Sequence, residues 1–311
     1  MWVHRFFILV TSFTLSGTTT IAGDLHPNVG VTGYNFLKIG IAARPAALGG
    51  AFTAMRGDVS GVVSNPAAIA TVNTGMATVS YMSYLVDTQA GFVAAAFPMG
   101  GNRLGIGISY VSYGDLVKTD ERGDRLGMFG AGDLAVSLSG GRSLWGGYVM
   151  IGGTVKGIFS QIDTYSSDAY AVDVGIILKP LTDRTSLGAS LLNMGATRKG
   201  FTPTSKDDLP VTARTGLTHR LAHLPLTIVA DAIFPNDNDP SFSIGGEMAI
   251  GEGLFIRPGY STAASHLSQF ERSAGFSAGA GLILKGYQID YAFTSFSDIG
   301  DIHRVSIGGR W

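Results

Sequence analysis

The chain has no cysteine, little charge and, past its first two dozen residues, no apolar run long enough for a membrane helix. Each absence closes a class of protein. Without cysteine there are no disulfides, thiolate nucleophiles or zinc–thiolate sites. Charged residues make up 14% of the sequence, against about a quarter in ordinary soluble domains. Lys+Arg 22 balance Asp+Glu 23, and with no basic stripe to gather phosphates, nucleic acid is not an expected partner. A spanning helix needs about 20 apolar residues, so the body of the chain does not cross a membrane as helices. No Pro/Ser-rich linker, charge run or composition shift marks a hinge, which points to one domain.

What is present is apolar without resembling a soluble core. Hydrophobic residues reach 45%, Gly 44 is about twice the usual share, and mean hydropathy is +0.26. At the N-terminus, Arg5 precedes the apolar stretch Phe6 to Val10 with Phe13 and Leu15, and small residues follow around Ala22 and Gly23. That layout predicts a secretory signal over residues 1–23, cleaved near Ala22 or Gly23.

Beyond residue 76 the sequence alternates with the two-residue period of a strand whose faces differ. In "YQIDYAF", Tyr287, Ile289, Tyr291 and Phe293 share one face and Gln288, Asp290 and Ala292 the other. In "AYAVDVGIILK", Tyr170, Val172, Val174, Ile176 and Leu178 oppose Asp173 and Lys179. The apolar set is the bulky one, with aromatics near segment ends, and the opposite set is Gly, Ser, Thr and single charges. A lipid-facing barrel has that inside-out pattern.

Strands are predicted near 76–86, 89–98, 103–113, 131–141, 146–159, 168–179, 184–194, 209–219, 224–234, 240–250, 253–261, 273–284, 286–296 and 302–311. That makes about fourteen of roughly ten residues each, the length a tilted strand needs to cross a bilayer. Short connections such as "PMGGN", "KPLTD" and "KG" alternate with long ones such as "GDLVKTDERGDRLGMFG", "GATRKGFTPTSKDD", "FPNDNDP" and "STAASHLSQFER". The short turns are expected toward the periplasm and the charged loops outside the cell. The last strand, "HRVSIGGRW", ends on an aromatic residue. The expected fold is therefore an all-β transmembrane antiparallel up-and-down barrel over residues 76–311, located in the outer membrane and in contact with its lipid.

A lumen of this size is too wide for its wall side chains to fill. Residues 24–75, rich in Ala and Gly, are expected to fold into it as a plug or hatch. Arg44, Arg56 and Asp58 are expected to pair with lumen charges such as Asp173, Asp231, Glu247 or Asp290. Asn65 and Pro66 fit the cap and first position of a short helix.

Catalytic signatures are weak. Gly275 to Gly279 matches the nucleophile-elbow pattern, but Ser277 sits in an alternating strand where that motif needs a strand–turn–helix. Gly130 to Ala135 matches a dinucleotide fingerprint with no strand before it and no helix after it. His26, His219, His223, His266 and His303 are scattered. No enzyme activity, cofactor or metal is expected.

The stretch "ARPAALGGAFTA…GDVSGVVSNPAAIA" resembles the N-terminal signature of the PorV/PorQ proteins, a branch of the FadL-like outer-membrane barrels, with Ala68 where that motif usually has Gly. "YQIDYAFTSFSDIGDIHRVSIGGRW" is similar to the family's C-terminal pattern, apart from the terminal Trp311. The resemblance implies a fourteen-stranded barrel with an N-terminal hatch. It also implies a role in type IX secretion, with secretion-system subunits and the signal domains of cargo as partners. More distant FadL relatives pass a hydrophobic small-molecule ligand through the hatch and sideways through the wall. Both functions stay open on sequence, as does a periplasmic or surface β-protein without a pore.

Overall fold

In the computed structural model, which describes residues 27–85, 87–180, 182–204, 206–265, 274–296 and 300–311, fourteen strands close into one antiparallel barrel. They are β1 (Met76–Ser83), β2 (Gln89–Met99), β3 (Asn102–Thr119), β4 (Arg125–Leu144), β5 (Val149–Ile162), β6 (Tyr165–Leu178) and β7 (Thr185–Lys199). The second half holds β8 (Thr212–Arg220), β9 (Leu226–Pro235), β10 (Ser241–Ile250), β11 (Leu254–Ser261), β12 (Phe276–Leu284), β13 (Tyr287–Ser295) and β14 (Asp301–Arg310). Each strand pairs with its sequence neighbours. β1 closes the cylinder on β14, with Met76 opposite Arg310 and Ser83 opposite His303. Closure leaves no unpaired edge, the condition for a sheet to stand in hydrocarbon. The signal segment 1–23, His26 and His266 lie outside the described residues.

The alternation runs as the sequence pattern requires, apolar side outward. In β13, Tyr287, Ile289 and Tyr291 are exposed while Gln288, Asp290 and Ala292 are buried. Leu138 and Val155 on the outer wall are 59% and 55% exposed. In water each such side chain would forgo about 1.5–3 kcal/mol of burial; against lipid that cost vanishes. Trp145, Tyr148, Tyr287 and Trp311 are exposed at the short-turn end, where Trp311 packs on Phe97 with ring centroids 6.0 Å apart. Tyr110, Phe159, Tyr165 and Phe242 are exposed toward the other end. A closed barrel with an apolar exterior and aromatic girdles is the architecture of an integral outer-membrane protein.

Three boundaries correct the sequence reading. The long loop expected over residues 114–130 is mostly strand, because β3 and β4 continue as a hairpin to Thr119 and Arg125. Cross-strand pairs Leu116–Phe129 and Val117–Met128 extend the ladder. The Asp120 carboxylate then closes the turn by accepting the amides of Arg122 and Asp124 at 2.9 and 2.8 Å. Between β5 and β6 the strands run on to a two-residue connection, 163–164, and Trp145–Gly147 is a 3-10 turn rather than the start of a strand. β3 also carries a bulge, its register to β4 shifting between Ser112 and Asp115, with Gly114 at φ +70°.

The chain before β1 enters from the long-loop end. The Gly33 amide donates to the Asp208 carbonyl at 3.0 Å, Asn28 Nδ2 donates to the Asn236 carbonyl at 3.1 Å, and Lys38 Nζ pairs with Asp237 at 2.7 Å. The segment then descends the lumen and reaches Met76 at the short-turn end. A single cysteine at Val31, 54% exposed, should therefore react with a membrane-impermeant maleimide on intact cells, and Asn73→Cys only after permeabilisation. Labelling of Asn73→Cys alone on intact cells would invert the orientation.

Candidate functional site

Residues 34–72 fill the lumen against a belt of inward-facing wall glycines. A Cβ at Gly188 would lie 2.3 Å from the Thr53 carbonyl oxygen, at Gly259 2.3 Å from the Gly49 nitrogen, at Gly152 2.4 Å from the Pro66 carbonyl oxygen and at Gly245 2.8 Å from the Leu48 carbonyl oxygen. These glycines belong to β7, β11, β5 and β10, so main chain rests on main chain at four strands of the wall. Part of the glycine content is thus the seat of the lumenal segment. Within it, Ala43–Ala47 forms one α-helical turn, and Val59–Val63 and Pro66–Thr71 form 3-10 turns.

On the β10–β13 side the seat is ionic. The Arg44 guanidinium donates to both Glu247 oxygens at 2.8 Å and to Asp58 at 2.8 Å. Arg257 Nε donates to Glu247 and Arg257 Nη1 to Asp290, each at 2.7 Å, and Gln288 Nε2 donates to the other Asp290 oxygen at 2.6 Å. The same Asp58 caps the following 3-10 turn, accepting from the Ser60 amide and hydroxyl at 2.9 and 2.7 Å. Burial disfavours its charge, but Arg44 and Ser60 outweigh that and hold the carboxyl below the ordinary carboxylate range. Further round, one Asp231 oxygen accepts from the Phe52 and Thr53 amides, the Thr53 hydroxyl and Arg214 at 2.6–3.0 Å.

The expected residues distribute unevenly. Arg44, Asp58 and Glu247 meet, and Asp290 joins them through Arg257. Arg56 does not reach a lumen carboxylate: it lies at the short-turn rim and donates to the Asp183 carbonyl at 2.5 Å. Asp231 holds the segment by main-chain amides and Thr53, not by Arg44 or Arg56. Asp173 pairs instead with Lys156 at 2.7 Å. Asn65 accepts from the Ala67 amide at 3.0 Å and donates to the carbonyls of Thr53 and Ile176 at 2.8 and 3.0 Å, while Pro66 opens a 3-10 turn. The partners missed were wall cations, Arg257, Arg214 and Lys156. Their signal was a lone basic residue on a small-residue face, as in "FIRPG".

On the side running from β14 through β1 to β6 the seat is mostly apolar. Tyr34, Phe36 and Ile41 pack against a lumen face formed by Met82, Phe92, Val111, Ile158 and Ile302. Polar ties there include the Tyr34 hydroxyl to Ser167 Oγ at 2.5 Å and Arg304 Nε, which donates to the Gly40 carbonyl at 2.8 Å. Beside the β3 bulge a recess of about 780 Å³ opens. Its lining includes Asp133, Ser160 and Ser167, which belong to the lumenal set, and Tyr110, Leu134 and Phe159 of the outer set.

The catalytic patterns dissolve in this context. Ser277 lies inside β12, donates to the Ala47 carbonyl at 3.2 Å and accepts from the Gly49 amide at 3.1 Å, so it seats the lumenal segment. The Gly130 to Ala135 stretch lies within β4. His219 meets Thr185 at 2.9 Å, and His303 meets Tyr291 at 2.8 Å on the outer wall.

These features define a class, a fourteen-stranded transmembrane barrel whose lumen holds the chain's own N-terminal segment. No family model matches the chain, and no curated relative matches it by sequence. Solved structures of FadL-type barrels do. The toluene transporter TodX of Pseudomonas putida aligns with a TM-score of 0.62 at 13% identity, over 90% of this chain and 99% of that one. The toluene transporter TbuX of Ralstonia pickettii gives 0.61 at 12%, over 91% and 99%. A FadL homologue of Pseudomonas aeruginosa gives 0.56 at 14%, over 93% and 100%. The shared property is the FadL-like barrel fold.

Proposed function

We propose that this barrel carries hydrophobic small molecules across the outer membrane. The observation that carries the reading is the division of the lumen. Residues 43–72 are held by glycine contacts and buried ion pairs, whereas Tyr34, Phe36 and Ile41 cover an apolar wall, and the polar ties of this shorter piece are one ion pair at the long-loop end, Lys38 to Asp237, the Tyr34 hydroxyl to Ser167 and the Arg304 bond to the Gly40 carbonyl. Displacing that shorter piece would exchange one apolar surface for another, which is how a greasy ligand could be admitted without unsealing the ionic half. The recess beside the β3 bulge, lined by residues of both wall faces, is where a sideways route toward lipid would open. That two neighbours in fold are toluene transporters agrees with this substrate class.

Uptake of radiolabelled toluene into outer-membrane vesicles carrying the barrel tests the proposal. Uptake above empty vesicles, lowered severalfold by Val111→Asn in a barrel that still shifts on unboiled gels, is the expected result. Uptake equal to empty vesicles, or unaffected by Val111→Asn, would overturn it.

A second reading, a PorV/PorQ-type role in type IX secretion, is favoured by the filled lumen, which leaves the extracellular loops as the working surface. Co-purification of secretion-system subunits or cargo signal domains, with no toluene uptake, would favour it over transport.

A further inference from the structure

We propose that the periplasmic vestibule between the lumenal segment and the β2–β6 wall is a binding site for small anions bearing carboxylate or phosphate groups. A cleft of about 480 Å³ opens there, lined by Arg56, Arg103 and Lys179 together with Asn73 and Ser143, and among the described residues no Asp or Glu contributes to its lining. That volume suits a small molecule rather than a lone ion.

The two arginines are positioned but not ion-paired. Arg103 is oriented by carbonyls, its Nε donating to Val72 at 2.6 Å and its Nη1 to Asn102 at 3.0 Å. The carbonyl of Asp183 holds Arg56 in the same way. Among the described residues neither arginine enters an ion pair within 4.0 Å. Asp183, the nearby acid, bonds Lys179 at 2.7 Å with its side chain 81% exposed. Burial lowers the affinity of Arg56 for its proton; the Asp183 carboxylate offsets that only in part, and Arg220 adds a smaller repulsion. A guanidinium held by neutral carbonyls keeps its remaining N–H groups and its full charge for a ligand, and its planar fork suits two-oxygen anions.

The surroundings strengthen the field. The Arg310 guanidinium donates to the carbonyl of Gly57, another lining residue, at 3.0 Å. Arg142, Arg184, Arg220 and Lys285 stand on the same end of the barrel, against the acids Asp183 and Glu252. A concave site under one sign of charge concentrates counter-ions. The inference is independent of what crosses the lumen.

A free periplasmic anion and the stem-peptide carboxylates of the cell wall share this chemistry, and two arms separate them. In the first, citrate and inorganic phosphate are titrated into the purified full-length barrel at low ionic strength. Citrate should bind, binding should weaken with added salt, Arg56→Gln/Arg103→Gln should weaken it at least tenfold, and Arg103→Lys should keep most of it. In the second, the barrel is sedimented with purified cell-wall sacculi. Co-sedimentation lost in the same double variant, without citrate binding, would assign the site to the polymer. An unboiled gel shift checks that each variant is folded, and Arg142→Gln/Arg184→Gln, outside the lining, is the matched loss of two charges. No binding in either arm, or binding that the double variant leaves intact, would overturn the proposal.

Discussion

Replacing Gly188 or Gly259 by valine is expected to push the lumenal segment off the wall and raise the conductance of the barrel. At both positions the new Cβ would meet main-chain atoms at 2.3 Å, and main chain cannot turn aside as a flexible side chain does. Overpacking of a close-packed interior costs about 1–3 kcal/mol. Taken entirely by the seated state, that shifts the ratio of displaced to seated segment by roughly 5- to 150-fold. The wall itself should persist, since strand pairing tolerates valine. Single-barrel recordings in planar bilayers, with the unboiled gel shift as a folding control, measure this. Gly101→Ala, at a turn glycine whose Cβ would meet nothing within 4 Å, should behave as wild type. Equal conductance for all three barrels would show that the segment does not rest on those glycines.

Arg257→Met should cost far more than Asp290→Asn, although the two side chains touch. Arg257 is 1% exposed and joins Glu247 to Asp290; without it, two buried carboxylates lose their shared cation. Removing one partner of a buried ion pair costs about 3–5 kcal/mol, mostly through the charge left behind. The group holds two guanidiniums, Arg44 and Arg257, against three carboxylates, Asp58, Glu247 and Asp290, so Asp290→Asn removes a surplus charge and leaves Arg257 with Glu247. Thermal loss of the unboiled gel form should come much earlier for Arg257→Met. The same assay has an acid limb. The Asp58 carboxyl is held below its ordinary value, so its contribution is complete above the unfolded carboxylate pKa and disappears as pH falls through the lower folded value. Asp58→Asn should flatten that limb and leave the neutral plateau lower. Comparable transitions for Arg257→Met and Asp290→Asn would mean the network is solvated.

The barrel was legible before any coordinates because its determinants are local. Side-chain direction in a strand has a period of two, so Tyr287, Ile289 and Tyr291 had to share a face, and their bulk against Gln288, Asp290 and Ala292 reported lipid outside and polarity inside. Strand ends were less legible. Residues 114–130 looked like a charged loop because cross-strand partners such as Leu116 and Phe129 become visible only when two distant stretches are aligned.

The site shows the same division more sharply. The width of a fourteen-stranded lumen called for something to sit inside the barrel, and "ARPAALGGAFTAMRGDVSGVVSNPAAIA", rich in Ala and Gly, is the stretch that suits it. Which wall residues receive it depends on strand register and shear, quantities that no window of neighbouring residues contains. Arg44 therefore had several carboxylates available in sequence and one bidentate partner in space, Glu247. Arg56, alike on paper, was carried to the opposite function, one of the cations of the periplasmic cleft. Residue type set the chemistry each side chain brings; closure of the sheet decided which charges stand within hydrogen-bonding distance, because proximity across a barrel is a property of the whole circumference.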